Sequence, residues 1–113
     1  MSQRISQINS LIQHELGQII HENIELPENH LITITKVQTS KDIKYAKIFV
    51  SLMPENQRGT LLKRLTKAAP LFQKELAEKM LTKFSPKLNF VVDENEIYAS
   101  EIDKLLDSLK ESW

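Results

Sequence analysis

The apolar residues of this chain switch from a helical period to a two-residue alternation and back, and that succession leaves few folds open. Ile5, Ile8, Ile12, Leu16, Ile19 and Ile20 recur at offsets 0, 3, 7, 11, 14 and 15, one stripe of an amphipathic helix from about Ser2 or Gln3 to Asn23. Gly17 sits inside that helix at a cost of up to about 1 kcal/mol relative to alanine, which predicts a close approach by a neighbouring element. Leu26-Pro27-Glu28-Asn29 breaks the helix. Leu31 to Val37 is short and β-branched and reads as a strand. After a turn at Ser40-Lys41-Asp42, Ile43 to Leu52 reads as a second strand, with Ala46, Ile48, Val50 and Leu52 alternating against Tyr45, Lys47, Phe49 and Ser51. So short a connection makes the two strands antiparallel neighbours.

Beyond an exit loop at Met53 to Gly59, Leu61, Leu62, Leu65 and Ala68 begin a second helical stripe, which resumes as Leu71, Phe72, Leu76, Met80, Leu81 and Phe84. Pro70 lies between the halves; it has no N–H and disfavours the α conformation at Ala69. The economical expectation is two helices meeting at Ala68-Ala69-Pro70, with Pro70 in the first turn of the second, where proline is tolerated. Ser85-Pro86 ends that helix, Leu88 to Val92 is a third strand, and Tyr98, Ile102, Leu105, Leu106 and Leu109 mark an amphipathic C-terminal helix. The class is α+β, a three-stranded sheet covered by helices. A length of 113 residues suits one domain, with a core over about residues 4–93 and the terminal helix over about 95–110.

Charge is where the chain departs from the ordinary. The net charge is zero, but residues 36–91 hold twelve basic side chains against four acidic ones, while residues 1–35 and 92–113 carry −3 and −5. Such a separation is an electrostatic footprint for a polyanion. Lys63, Lys67 and Lys74 fall on one side of the predicted helix pair, with Arg64 adjacent. Lys63 and Lys67 form a like-charge pair at i and i+4, mildly destabilising by a few tenths of a kcal/mol, about the size of one surface ion pair. Lys36, Lys41, Lys44 and Lys47 extend the positive field across the hairpin. Two readings compete, a merely solvated lysine-rich face and a set of phosphate contacts, and the second is favoured. On it the central cations converge into one continuous shelf. Tyr45 and Phe49 lie among these lysines, either to stack on bases or, more commonly for such residues, to pack on the sheet.

Other chemistry finds little support. No cysteine is present, so there is no disulfide framework, zinc ribbon or thiol nucleophile. Ser10, His14 and Glu15 are neighbours on one helix, which does not make a triad. His14 and His21 are seven apart, with His30 in the following loop; metal-binding helices usually place ligands at i and i+4, so ordinary surface histidines are expected. Glu75 and Glu78 beside Lys74 and Lys79 are the usual dress of a solvated helix face. Gly17 and Gly59 are the only glycines, and there is no glycine-rich phosphate loop. The longest apolar run is three residues and the start of the chain has no signal-like core, which leads to the expectation of a cytoplasmic protein with no membrane association.

The chain resembles the ribosome-binding factor A family over about residues 4–109. The resemblance is carried by Arg4-Ile5, Glu15-Leu16 with Ile19-Ile20, Thr33-Ile34-Thr35-Lys36-Val37, Ser40-Lys41-Asp42 and Ala46-Lys47-Ile48-Phe49-Val50-Ser51. It continues in Ala68-Ala69, Lys74-Glu75-Leu76, Leu88 and Phe90 with Asp93, and Ile102-Asp103-Leu105-Leu106. It implies a type-II K-homology-like fold and binding to the immature small ribosomal subunit, with help in processing and folding the end of its RNA. In place of the Gly-x-x-Gly loop of ordinary K-homology domains, the family has an Ala-x-Gly interruption between two helices. Here Ala68-Ala69-Pro70 stands at that position, with proline for the glycine, and Leu26-Pro27 stands where the family has Asp-Pro.

The expected function is therefore that of a non-enzymatic, monomeric RNA-binding assembly factor using no cofactor and no metal. Arg4, Lys36, Lys41, Lys44, Lys47, Lys63, Arg64, Lys67 and Lys74 would contact phosphate, and Ala68, Ala69 and Pro70 would set the angle of the platform. The rival from another class is a protein-binding adaptor that uses an amphipathic helix and turns the basic stretch to an acidic partner.

Overall fold

In the computed structural model, which describes residues 2–80, 86–93 and 95, a helix α1 (Ser2–Asn23) leads into strands β1 (Leu31–Thr39) and β2 (Tyr45–Met53). A single turn of 3-10 helix (Glu55–Gln57), a long helix α2 (Arg58–Met80) and a strand β3 (Lys87–Val92) follow. The sheet has the order β1-β2-β3, antiparallel between the first pair and parallel between the second. A parallel neighbour requires a long crossover, and α2 is on that crossover.

Among the described residues the helices cover one face of the sheet and leave the other open. Ile12, Leu16, Ile19 and Ile20 of α1 and Leu61, Leu65, Ala69, Phe72, Leu76 and Met80 of α2 form the helical half of the core. Val37, Ala46, Ile48, Val50, Leu52, Leu88 and Phe90 form the strand half. Phe72 meets Phe90 edge-on at 6.1 Å between ring centroids, which ties the crossover helix to the strand it delivers. No polar or charged residue is buried among the described residues.

Both outer edges of the sheet are stoppered by amide side chains from the helices. Asn9 Oδ1 accepts from the Thr39 N–H (3.0 Å), Gln13 Nε2 donates to the Ile34 carbonyl (3.0 Å), and Gln73 Oε1 accepts from the Leu88 N–H (3.0 Å). Edge groups satisfied in this way are poor templates for pairing with another chain.

Three expectations need correction. The stripe from Leu61 to Met80 belongs to one helix, not two meeting at Ala68-Ala69-Pro70; α2 runs through Pro70. Its buried residues fall at offsets 0, 4, 8, 11, 15 and 19, an unbroken core face that holds both halves on one sheet. Pro70 and Thr66 are both exposed, so the carbonyl that loses its helical donor lies on the water side, where solvent replaces the bond. Second, nothing approaches Gly17: a Cβ built there meets no atom within 4 Å. Third, β1 extends to Thr39 and β2 starts only at Tyr45, because Ile43 takes a positive φ of 59° inside the connecting turn. The expected run of the second helix to Phe84 and the C-terminal helix lie outside the described residues, Asn95 apart.

Candidate nucleic-acid interface

The placement of the cations begins with a bulge in β1. Its register against β2 shifts between Ile34 and Lys36, so Thr35 is the extra residue. Without the shift, the alternation that turns Ile32 and Ile34 toward the helices would carry Lys36 in with them. With it, Val37 returns to the core at 5% exposure and Lys36 moves to the open face. There Lys36 Nζ lies 5.6 Å and Lys47 Nζ 5.9 Å from the centroid of the Phe49 ring, two ammonium groups drawn to one aromatic ring. Tyr45 is on the same face and 60% exposed, so it is not a packing residue of the core.

The open face is ordered in rows across the strands. Tyr45 pairs with Lys87; Gln38, Lys47 and Asn89 form the next row; Lys36, Phe49 and Val91 the one after; Leu31 and Met53 close the far end. Asp93 also reaches this side, where its Oδ2 accepts from Thr35 Oγ1 (2.6 Å) and its Oδ1 from the Asn95 N–H (2.9 Å).

The hairpin connection is a rigid mount for Lys41 and Lys44. Ser40 N–H donates to the Tyr45 carbonyl (2.8 Å), and Ser40 Oγ accepts from the Tyr45 N–H (3.1 Å) while donating to Asp42 Oδ1 (2.7 Å). The Lys44 N–H donates to the same carboxylate oxygen at 3.2 Å. These bonds, the Ser40 hydroxyl first, hold the Asp42 carboxyl below its ordinary range.

On α2, Lys63, Lys67 and Lys74 are all exposed and fall opposite the buried stripe, pointing away from the sheet. Arg64 sits to one side and donates from Nη2 to the Glu25 carbonyl (3.1 Å), fastening the loop after α1. Arg4 is exposed on the first turn of α1. Ala68 is half-buried, Ala69 is in the core and Pro70 is exposed.

The single continuous shelf is therefore not formed. Lys36 and Lys47 of the strands and the α2 lysines occupy opposite sides of a two-layer molecule, separated by roughly 20 Å, one helix diameter plus the sheet with its side chains, while Lys41 and Lys44 lie in the turn between β1 and β2. The strand cations leave by the face the helices do not cover, and the α2 cations leave by the face the sheet does not cover. None of Lys36, Lys41, Lys44, Lys47, Lys63, Lys67 and Lys74 is ion-paired to a described carboxylate, whereas Arg58 pairs with Glu55 at 3.9 Å.

Among the described residues no group of three potential metal ligands converges, and no helix is long and apolar enough to cross a membrane. His14, His21 and Glu22 line an open groove between α1 and β1, with Gly17 in its floor. Sequence reading missed the β1 bulge and the row of Gln38, Lys47 and Asn89. The broken alternation of Ile32, Ile34 and Val37 is the signal that points to the bulge.

A helix–strand–strand–helix–strand chain laid over one mixed sheet, with an apolar core and its free cations on open surfaces, is a type-II K-homology-like α+β domain. Residues 4–106 match the family model for ribosome-binding factor A, and the chain belongs to that family. It is 31% identical over 111 residues to ribosome-binding factor A of Caldicellulosiruptor saccharolyticus, covering 95% of this chain and 82% of the relative. A crystal structure of ribosome-binding factor A from Thermus thermophilus matches with a TM-score of 0.69 at 23% identity, over 78% of this chain and 93% of that one. A homology model of the Thermus thermophilus factor, fitted into a cryo-EM map of its complex with the 30S subunit, matches with a TM-score of 0.64 at 25% identity, over 74% of this chain and 88% of that one.

Proposed function

We propose that the protein is a monomeric, non-enzymatic RNA-binding factor that associates with the free, immature small ribosomal subunit. There it assists the processing and folding of the subunit's RNA in the cytoplasm. The observation that bears most weight is the outer stripe of α2, where Lys63, Lys67 and Lys74 stand exposed without a described carboxylate partner. Eleven residues of helix set the first and last of them about 16 Å apart, a straight cationic edge that follows a phosphate backbone. Such contacts fix orientation, and the shape of folded RNA supplies selectivity. Lys41 and Lys44 on the braced hairpin, Arg64, Arg4 and the open-face Lys36 and Lys47 add phosphate contacts outside that stripe. Membership of the ribosome-binding factor A family supports the ribosome as partner, and the 30S complex of the Thermus thermophilus relative supports the small subunit.

Co-sedimentation with immature and mature small subunits over a range of salt tests this reading. The wild-type chain is expected to travel with the immature particle and to be displaced by excess purified small-subunit RNA. Sedimentation with neither particle overturns the reading. So does a bound partner that survives excess RNA, which is how a protein-binding adaptor behaves.

A further inference from the structure

The open sheet face carries chemistry that a phosphate-binding surface does not need. Of the exposed large apolar side chains among the described residues, Leu31, Tyr45 and Met53 lie on this face, and Tyr45 is the most exposed at 60%. A depression of about 480 Å³ opens beside it, lined by Gln38, Ser40, Tyr45, Lys47 and Asn89 among others. Gln38 and Asn89 flank Lys47 in one row across the three strands, next to the row of Tyr45 and Lys87. An aromatic ring therefore stands against two amides, each able to donate and to accept, with cations on either side.

We infer that this face is a second RNA site, one for unpaired nucleotides, in which a base stacks on Tyr45 and turns its edge toward Gln38 and Asn89. The inference rests on the RNA-binding reading above and adds a different surface and a different form of RNA. Duplex RNA hides its base faces and buries its major-groove edges, so an exposed ring beside paired amides suits a splayed base. Phe49 has another task. Its ring attracts Lys36 and Lys47 at 5.6 and 5.9 Å, which orders two cations on this face. Charge decides between RNA and an acidic peptide as occupant only together with the ring and the amides: Lys36, Lys47 and Lys87 serve either, while a stacking ring beside two base-edge partners serves a nucleotide. Because the α2 lysines face the opposite way, one molecule can hold an unpaired strand and a folded element at once.

The test measures affinities of the full chain and its variants for a short unstructured RNA and for an A-form hairpin. Tyr45→Ala is expected to weaken the unstructured RNA by between about fivefold and about a hundredfold and to leave the hairpin within about twofold. Tyr45→Phe, which keeps the ring, is expected to restore the unstructured RNA to near wild-type affinity. Gln38→Ala with Asn89→Ala is expected to flatten preferences among oligonucleotides of different base, and a thiouridine-bearing strand is expected to crosslink to the peptide containing Tyr45. Tyr45→Ala binding the unstructured RNA like wild type overturns the inference. So does Tyr45→Phe as weak as the alanine variant, or an acidic peptide that needs Tyr45 when RNA does not. If the hairpin binds and the unstructured RNA ignores Tyr45, only the sheet site falls. If the wild type binds neither probe, the RNA-binding reading falls with it.

Discussion

Thr35 and Asp93, 58 residues apart in the chain, meet across the central strand: Thr35 Oγ1 donates to Asp93 Oδ2 at 2.6 Å and lies 3.3 Å from the Phe49 carbonyl. Asp93 is anchored in turn by its N–H to the Val50 carbonyl (2.9 Å). The extra residue of the β1 bulge thus finds its partners on β2 and just past β3, which pins the register that puts Lys36 beside Phe49. Thr35→Val keeps the shape and removes the donor to a charged acceptor. It is expected to lower unfolding free energy by about 1–3 kcal/mol, read as a lower urea midpoint at unchanged slope.

Proline inside a helix costs about 3 kcal/mol where it removes a hydrogen bond from a well-packed turn. Pro70 is exposed and α2 is continuous through it, with Ala69 and Phe72 packed on either side. Pro70→Ala restores the missing donor without touching the core, and a rise in stability of about 1–3 kcal/mol is expected. A fall on thermal unfolding would mean that the core depends on the proline's fixed φ.

The same measurement applies to Gly17, whose missing side chain has open space around it. Gly17→Ala is expected to stabilise the protein by about 0.5–1 kcal/mol, the difference in helix propensity with no steric cost against it. The substitution narrows the groove beside His14 and His21, so unchanged association with the small subunit would separate that groove from binding.

The pH response of the hairpin follows from Asp42. Its carboxyl titrates below the ordinary range because the Ser40 hydroxyl, and after it the Lys44 N–H, bind the ionised form. A group depressed in the folded state stabilises above its unfolded pKa and loses that contribution as pH falls through its folded pKa. The gap in stability between wild type and Asp42→Asn is therefore expected to be full at neutral pH and to close in acid, in paired urea titrations across the carboxylate range. A gap independent of pH would assign the effect to shape instead of charge.

For the α2 stripe the diagnostic quantity is a slope. Replacing Lys63, Lys67 and Lys74 together with alanine is expected to weaken RNA association and flatten its log-affinity against log-salt line by up to about three units, near one for each phosphate no longer neutralised. All three are exposed, so the variant should fold. An unchanged slope would move the phosphate-binding groups elsewhere on the surface.

Among the described residues, element order apart from the single helix through Pro70, and the identity of most core residues, were legible in the sequence, because side-chain period is local physics: every 3.6 residues returns to one helix face and every two to one strand face. The stripe of α1 and the alternation of β2 need nothing else. Where residues stand relative to distant elements is a different matter. Whether Pro70 ends a helix depended on the unbroken core face from Leu61 to Met80, since packing against the sheet outweighs a local cost. Whether Lys36 points inward depended on a bulge that Asp93 supports from the far side of the sheet. Charge counting along the chain treated the central cations as one group. Only the two-layer packing, which leaves each layer one outer side, divided them between opposite faces and set Tyr45 beside Gln38, Lys47 and Asn89.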